Sequence, residues 1–213
     1  DSDGFTVGDD VVVNTSTEDY ASWNWLAGGA AASNTDGTIT SSVSANTTAG
    51  FSIVSYTGTG TTATVGHGLS SAPELLIVKN RSNIAGWGAG GINFYDGVTN
   101  WLYYMQLDTS GIRNGSNQFW NSTSPSSSVF TVEDASSVNT NTDNYIAYCF
   151  HSIEGYSKVG SYEGNGNADG PFIYTGFDPA LVIVKNDAAS EEWVLLDGKI
   201  PTSNTGGTGN PRN

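Results

Sequence analysis

Basic side chains are scarce: 7 Lys and Arg stand against 21 Asp and Glu, a formal net charge of -14. A nucleic-acid surface needs a stripe of cations to displace counterions, and so few do not make one. Binding to an anionic membrane is excluded on the same ground. Cysteine is nearly missing. Cys149 is alone, so no intrachain disulfide staples the chain, and its place in the apolar run Tyr145–Phe150 reads as a buried thiol. No run approaches the roughly 18 apolar residues of a membrane span, and no signal peptide is visible. Histidine occurs twice, at His67 and His151, in no HxH or HxxxH metal spacing. No segment sustains a 3.6-residue apolar period over three turns, which argues against helix.

Glycine is abundant at 27 residues, with Ser, Thr and Asn filling much of the rest. Between these turn-formers lie short alternating or apolar runs. Tyr20–Trp25, Phe51–Tyr56, Thr61–Val65, Leu75–Val78, Trp101–Leu107, Val129–Val132, Asn144–His151, Tyr156–Tyr162, Phe172–Tyr174, Leu181–Val184 and Trp193–Leu196 read as strands. Val11–Val13 and Phe119-Trp120 read as shorter ones. About 13 or 14 strands are expected in all. The fold class is all-β: antiparallel, β-sandwich-like and internally repeated.

The repeat is visible directly. Pro73–Asn80 reads PELLIVKN and Pro179–Asn186 reads PALVIVKN, 106 positions later. At that offset Ser55, Tyr56, Gly58, Gly60 and Trp87 also meet their own residue types, for 11 identities over the 37 positions 51–87. A second register, at an offset of 125, sets Phe130-Thr131-Val132 on Phe5-Thr6-Val7, Val138 on Val13, Asn139 on Asn14 and Tyr145 on Tyr20, with Tyr148 and Phe150 on Trp23 and Trp25. These registers predict one complete unit over 51–150 and a second one assembled from 1–26, a repeat end, and 151–200, a repeat start. The polar stretch 27–50 is expected to be a linker, and 201–213 a loose tail. The match of the first 25 residues to a repeat end suggests a longer parent polypeptide. Each fragment of a unit leaves an unpaired sheet edge. The strand at Tyr20–Trp25 is therefore expected to join Tyr156–Tyr162 and Leu181–Val184, within one chain or between chains. Pairing between chains is favoured, because the acidic surface otherwise offers little to hold an assembly together.

Chemistry-bearing constellations are thin. Carboxylate pairs such as Glu133/Asp134 and Glu191/Glu192 read as turn and surface groups, with nothing to set two of them across a sugar-sized cleft. No GxSxG elbow occurs, and the glycine-rich turns at 58–62 and 164–170 lack the lysine of a phosphate loop. No cofactor is expected, calcium excepted. Asp9, Asp10, Asp134 and Asp143 lie in turn-rich loops that offer hard oxygen ligands. The aromatic groups Trp23/Trp25 and Trp101/Tyr103/Tyr104 exceed what one core face needs. They are candidates for stacking on carbohydrate or for a subunit contact, with core packing the simpler account of any single one.

Phe51–Gly60, His67-Gly68-Leu69, Ala72–Asn80, Trp120–Thr123, Val129–Val132, Asn144–His151 and Glu154–Gly166 resemble an uncharacterised repeat domain of virion-associated, often tail or fibre-like, proteins of marine phages and cyanophages. The resemblance covers most of 51–200. It implies a surface role on a virion, or an extracellular one, and carries no catalytic residue. The resulting expectation is a non-enzymatic virion structural or appendage protein. Its partners would be other copies of itself, other virion proteins and possible host glycans. A carbohydrate-binding module or lectin is the alternative, and a glycan hydrolase a weaker one.

Overall fold

The computed structural model describes residues 3–92, 94 and 101–198. The expected tail 201–213, together with Asp1 and Tyr95, lies outside the described residues. Among them, twelve strands run in chain order: β1 (Ala32–Asn34), β2 (Ser41–Asn46), β3 (Phe51–Thr57), β4 (Ala63–Gly66), β5 (Leu75–Asn80), β6 (Gly88–Gly91), β7 (Tyr103–Gln106), β8 (Asn114–Gly115), β9 (Val129–Val132), β10 (Asn144–Phe150), β11 (Leu181–Val184) and β12 (Val194–Asp197). Two one-turn helices, α1 (Val11–Asn14) and α2 (Asn117–Trp120), complete the inventory. The class is all-β, in several antiparallel sheets.

Eight strands form the main sheet, in the order β1-β2-β3-β10-β5-β6-β7-β8. β10 is its hinge in sequence terms: it slots between β3 and β5, with Ala147 opposite Val54 on one side and Val78 on the other. A strand paired on both edges has no free N–H or C=O row and can be apolar on both faces. The Tyr145–Phe150 sequence satisfies that demand. Its inward set Tyr145, Ala147 and Cys149 is fully buried, and Ile146, Tyr148 and Phe150 are half-buried on the other face.

The inner face meets a second layer made of the β4–β9 ribbon and α2. Val65, Phe130 and Val132 pack on Val54, Tyr56, Leu76, Val78 and Ala147, and Phe130 sits edge-on to Tyr56 at 6.2 Å. Over β6 the sheet itself is bare of side chains, and for a steric reason. A Cβ at Gly90 would lie 2.6 Å from the Trp120 ring and 2.8 Å from that of Trp101, and one at Gly88 would lie 3.0 Å from Phe119. The glycines make room for three aromatic rings. Trp101 and Trp120 pack perpendicular at 5.8 Å, and Tyr104 stacks on Phe119 at 3.7 Å.

Several local expectations are corrected. The stretch 27–50 is not a structureless linker, since it holds β1 and β2. Small residues there let two layers approach. Ser41 donates to the Gly66 carbonyl at 2.9 Å, Thr38 and Thr64 exchange backbone N–H to Oγ1 bonds at 2.9 Å each, and Ile39 bridges Val65. Val11–Val13 is helical, because Asp10 caps it by accepting from Val12 N at 2.9 Å. Phe119-Trp120 is helical too, started by Ser116 and stopped by Asn121 in the left-handed region. Among the described residues, Tyr20–Trp25, Tyr156–Tyr162 and Phe172–Tyr174 belong to no strand; Ser157 makes only an isolated bridge to Ile153.

Candidate interaction site

The expected aromatic patch divides. Trp101 is 1% exposed and Tyr104 lies stacked on Phe119, so both belong to the core over β6. Tyr103 is half-buried on the opposite face of β7, with the Arg113 guanidinium 5.6 Å from its ring centre. Arg113 also forms an ion pair with Asp187 at 2.7 Å. Trp23 and Trp25 stay open at 38% and 44% exposure. Trp25 leans on Phe51 and Phe150 at 6.5 and 6.4 Å, while Trp23 Nε1 donates to Asp197 Oδ2 at 2.8 Å.

The calcium candidates are scattered. Asp10 is the cap of α1, and Asp9 and Asp134 are exposed. Asp143 is buried and surrounded by donors rather than oxygen ligands. Asn80 Nδ2 donates to it at 2.8 Å and Asn83 Nδ2 at 2.8 and 2.9 Å. These bonds hold its carboxyl below the usual range against the opposing effect of desolvation. Tyr145 joins the same network: its hydroxyl accepts from Thr140 N at 2.7 Å and donates to the Ser136 carbonyl at 2.9 Å. Tyr56, stacked on Tyr145 at 5.2 Å, donates to the Val138 carbonyl at 2.6 Å. Nothing in the spacing of Asn80 and Asp143 announced this cluster. It pins the loop before β10 to the end of the sheet. Among the described residues no three His, Cys, Asp or Glu side chains gather as a metal site.

Both histidines are walled in. Leu69 N donates to His67 Nδ1 at 3.1 Å, and the other ring nitrogen lies 3.2 Å from the Ser126 carbonyl, so the neutral ring with its proton on Nε2 satisfies both. Burial lowers its pKa. Burial likewise pushes the Cys149 thiol up to about 12, which makes it a poor nucleophile. A depression of about 370 Å³ at one end of the main sheet is lined by hydroxyls and amides, among them Ser42, Ser55, Thr57 and Asn144, with Arg81 at its side.

The most unusual surface lies at β11 and β12. Their pairing reproduces β5 and β6 at the 106 offset. Leu75 opposes Gly91 and Leu181 opposes Asp197; Val78 opposes Gly88 and Val184 opposes Val194. The turn that follows is copied as well. Asn80 Oδ1 accepts from Ser82 N and Asn83 N at 2.8 and 2.9 Å, and Asn186 Oδ1 accepts from Ala188 N and Ala189 N at 3.0 Å each. Gly60 and Gly166 share the left-handed conformation, at φ 71° and 65°. The surroundings differ. β5 is paired on both edges, whereas β11 has β12 on one edge and no strand on the other among the described residues. Ile183 is 47% exposed, and Val194 and Leu195 are open as well. Elsewhere in the sequence, apolar side chains stand exposed at Phe5, Val11, Val12, Tyr20 and Leu26 in the first segment and at Tyr156, Tyr162, Phe172 and Tyr174 in the last. Scattered apolar residues are ordinary on a surface, but a concentration in two segments marks an interaction surface.

Fold and site together define an all-β chain with a large antiparallel sheet packed on a buried core and a separate, largely exposed β11–β12 hairpin. The chain belongs to the family described as Domain of unknown function (DUF7483), whose model matches residues 1–210. No curated protein and no solved structure matches it. Among the described residues no helix is long and apolar enough to cross a membrane.

Proposed function

We propose that this chain is a non-enzymatic structural subunit of a virion appendage, of tail or fibre type, that is held in place by contacts with further protein subunits at the particle surface. The observation that carries the reading is the open edge of β11 together with the apolar segments 5–26 and 156–196. An enzyme needs a cleft with convergent polar groups. A building block needs edges and apolar faces that are completed on assembly. The open edge and exposed apolar segments support the latter, and the resemblance of Asn144–His151 and Glu154–Gly166 to virion repeat domains points the same way. Mass spectrometry of purified particles tests it. The chain is expected in fixed stoichiometry with other particle proteins, and antibody against it should label an appendage. Recovery only as free protein outside the particles would end the proposal.

One observation favours a second reading, an alternative to a subunit contact at the same residues: host-surface contact. Trp23 and Trp25 lie two residues apart and both leave ring surface exposed, a pattern suited to stacking on sugar rings. A glycan array should then show binding that Trp23→Ala and Trp25→Ala remove while the far-ultraviolet circular dichroism stays unchanged.

A further inference from the structure

We propose that the free edge of β11 receives the segment Tyr20–Trp25 of a second copy of this chain, added as an antiparallel strand in the place that β10 takes beside β5. The inference rests on the reading of the chain as an assembly subunit and names the partner. The complete unit supplies the template. There β10 lies between β3 and β5, with Tyr145 opposite Asn80, Ala147 opposite Val78 and Phe150 opposite Leu75. β11 and β12 already hold the β5–β6 register, the same asparagine turn and the same left-handed glycine. Among the described residues β11 lacks a second strand neighbour; just beyond it, Arg113 N donates to the Asp187 carbonyl at 2.9 Å.

Residues 20–25 carry the side chains that position demands. At the 125 offset Tyr20, Trp23 and Trp25 replace Tyr145, Tyr148 and Phe150. Carried over to β11, the register sets Tyr20 beside Asn186, Ser22 beside Val184, Trp23 beside Ile183 and Trp25 beside Leu181. The contacts around β10 then have counterparts. Trp87 stacks on Tyr148 at 6.5 Å with Lys79 Nζ 5.6 Å from its ring centre; Trp193 and Lys185 hold the matching positions in the sequence, bonded in the single chain to the Gln106 and Ser110 carbonyls at 3.0 and 3.3 Å, bonds they would exchange for Trp23. Tyr145 stacks on Tyr56, and Tyr20 would stack on Tyr162. Tyr20, Trp23, Trp25, Tyr162 and Ile183 are all exposed in the single chain, and the insertion covers each of them.

The chain's own segment lies on the β12 side of its hairpin, so a second copy is the source, and the donor exchanges the same contacts for the open edge. Its Trp25 packs on Phe51 and Phe150 of the main sheet. Its Trp23 bonds to Asp197, on the β12 side of the hairpin, away from the vacant edge. Its Tyr20 hydroxyl accepts from Thr15 N at 2.9 Å and donates to the Val11 carbonyl at 3.1 Å. An arm of one copy on the edge of the next is a head-to-tail contact, which builds a ring if the rotation closes and a filament if it does not. Copies with a net charge of -14 repel, so salt should strengthen the contact.

The test uses two single variants of the full chain, Ser22→Cys and Val184→Cys. Facing residues of antiparallel strands lie within disulfide reach, and the buried native Cys149 does not compete. Mixed under mild oxidation in added salt, the two variants are expected to give a covalent heterodimer. Each variant alone, and Ser22→Cys mixed with an out-of-register Val182→Cys, should give several-fold less. A mixture without heterodimer overturns the proposal. So does a Ser22→Cys/Val184→Cys double variant that cross-links only as a monomer, since the chain's own segment would then be the occupant. Equal yields for Val184→Cys and Val182→Cys overturn the register. Presence of the chain in purified particles, measured separately, decides the structural role itself, so the two failures are distinguishable.

Discussion

β5–β6 and β11–β12 are two hairpins of matching register in different settings. Both share register, the closing asparagine turn and the LxIVKN pattern, Leu75–Asn80 against Leu181–Asn186. In the first, β10 covers the free edge, and the ribbon and aromatic rings cover the inner face, so Leu76 and Val78 are fully buried. In the second, Val182 and Val184 are only half-buried and Ile183 is exposed. Pairing two strands therefore needs only local sequence, whereas burying them needs neighbours from remote parts of the chain. Stability is expected to concentrate in the covered copy, while the uncovered copy remains a surface for other contacts.

The sharpest way to break the contrast is Trp120→Ala, which empties the space that Gly90 leaves over β6. Large-to-small core changes of this kind cost about 3–5 kcal/mol, and a urea midpoint should fall accordingly. Val182→Ala, in the open hairpin, should leave that midpoint within about 0.5 kcal/mol. Comparable losses from both would show that the hairpins are equally built into one core.

The paired asparagines refine the comparison. Asn80→Ala leaves the buried Asp143 short of a donor and should cost about 1–3 kcal/mol. Asn186→Ala loses the same two turn bonds at an exposed position and should cost about 0.5 kcal/mol or less. Denaturant titration of the two variants side by side reads the difference as the value of the network rather than of the turn.

Acid should act on the covered region in two steps. His67 has a lowered folded pKa through burial, so the unfolded chain binds its proton first. The stability it allows is complete above about pH 6.5 and declines as pH falls below that value. Asp143 has a lowered folded pKa through the Asn80 and Asn83 bonds. Its contribution is present above the ordinary carboxylate range, about 3.9, and is lost below it. His67→Gln should flatten the upper step alone in a plot of urea midpoint against pH. A midpoint that stays level from pH 7 to 5 in the parent protein would contradict the role given to His67.

Removing residues 1–26 is expected to change the fold little. The main sheet keeps its strands, so the cooperative transition of the 51–150 region should move by about 1 kcal/mol or less, as expected for surface contacts such as Trp25 on Phe51. Self-association, read by analytical ultracentrifugation in added salt, should disappear. Retained association would place the contact elsewhere.

The strands rich in β-branched and aromatic residues were legible. Phe51–Thr57, Leu75–Asn80 and Asn144–Phe150 carry their own patterns, because burial on one or both faces dictates side-chain type residue by residue. β1 and β2 were not legible, since Ser41, Ser42 and Ser44 look like loop residues. Ser41 is buried with its hydroxyl donating to the Gly66 carbonyl, and the half-buried Ser44 donates to that of Gly29. Trp101 read as a surface candidate for a related reason. Its cover depends on glycines at 88 and 90 that lie on another strand, and no local pattern reports a missing side chain elsewhere.

The amino-acid sequence by itself determined the all-β class, the 106 and 125 offsets and the chemistry of each hairpin, because alternation and turn residues act over a few neighbours. Only the tertiary structure decided that β10 enters between β3 and β5, that Asp143 is held by Asn80 and Asn83, and that β11 keeps an open edge. Those outcomes depend on segments tens of residues apart meeting in space, and a strand's hydrogen-bonding edges carry no side-chain signature of which partner will arrive.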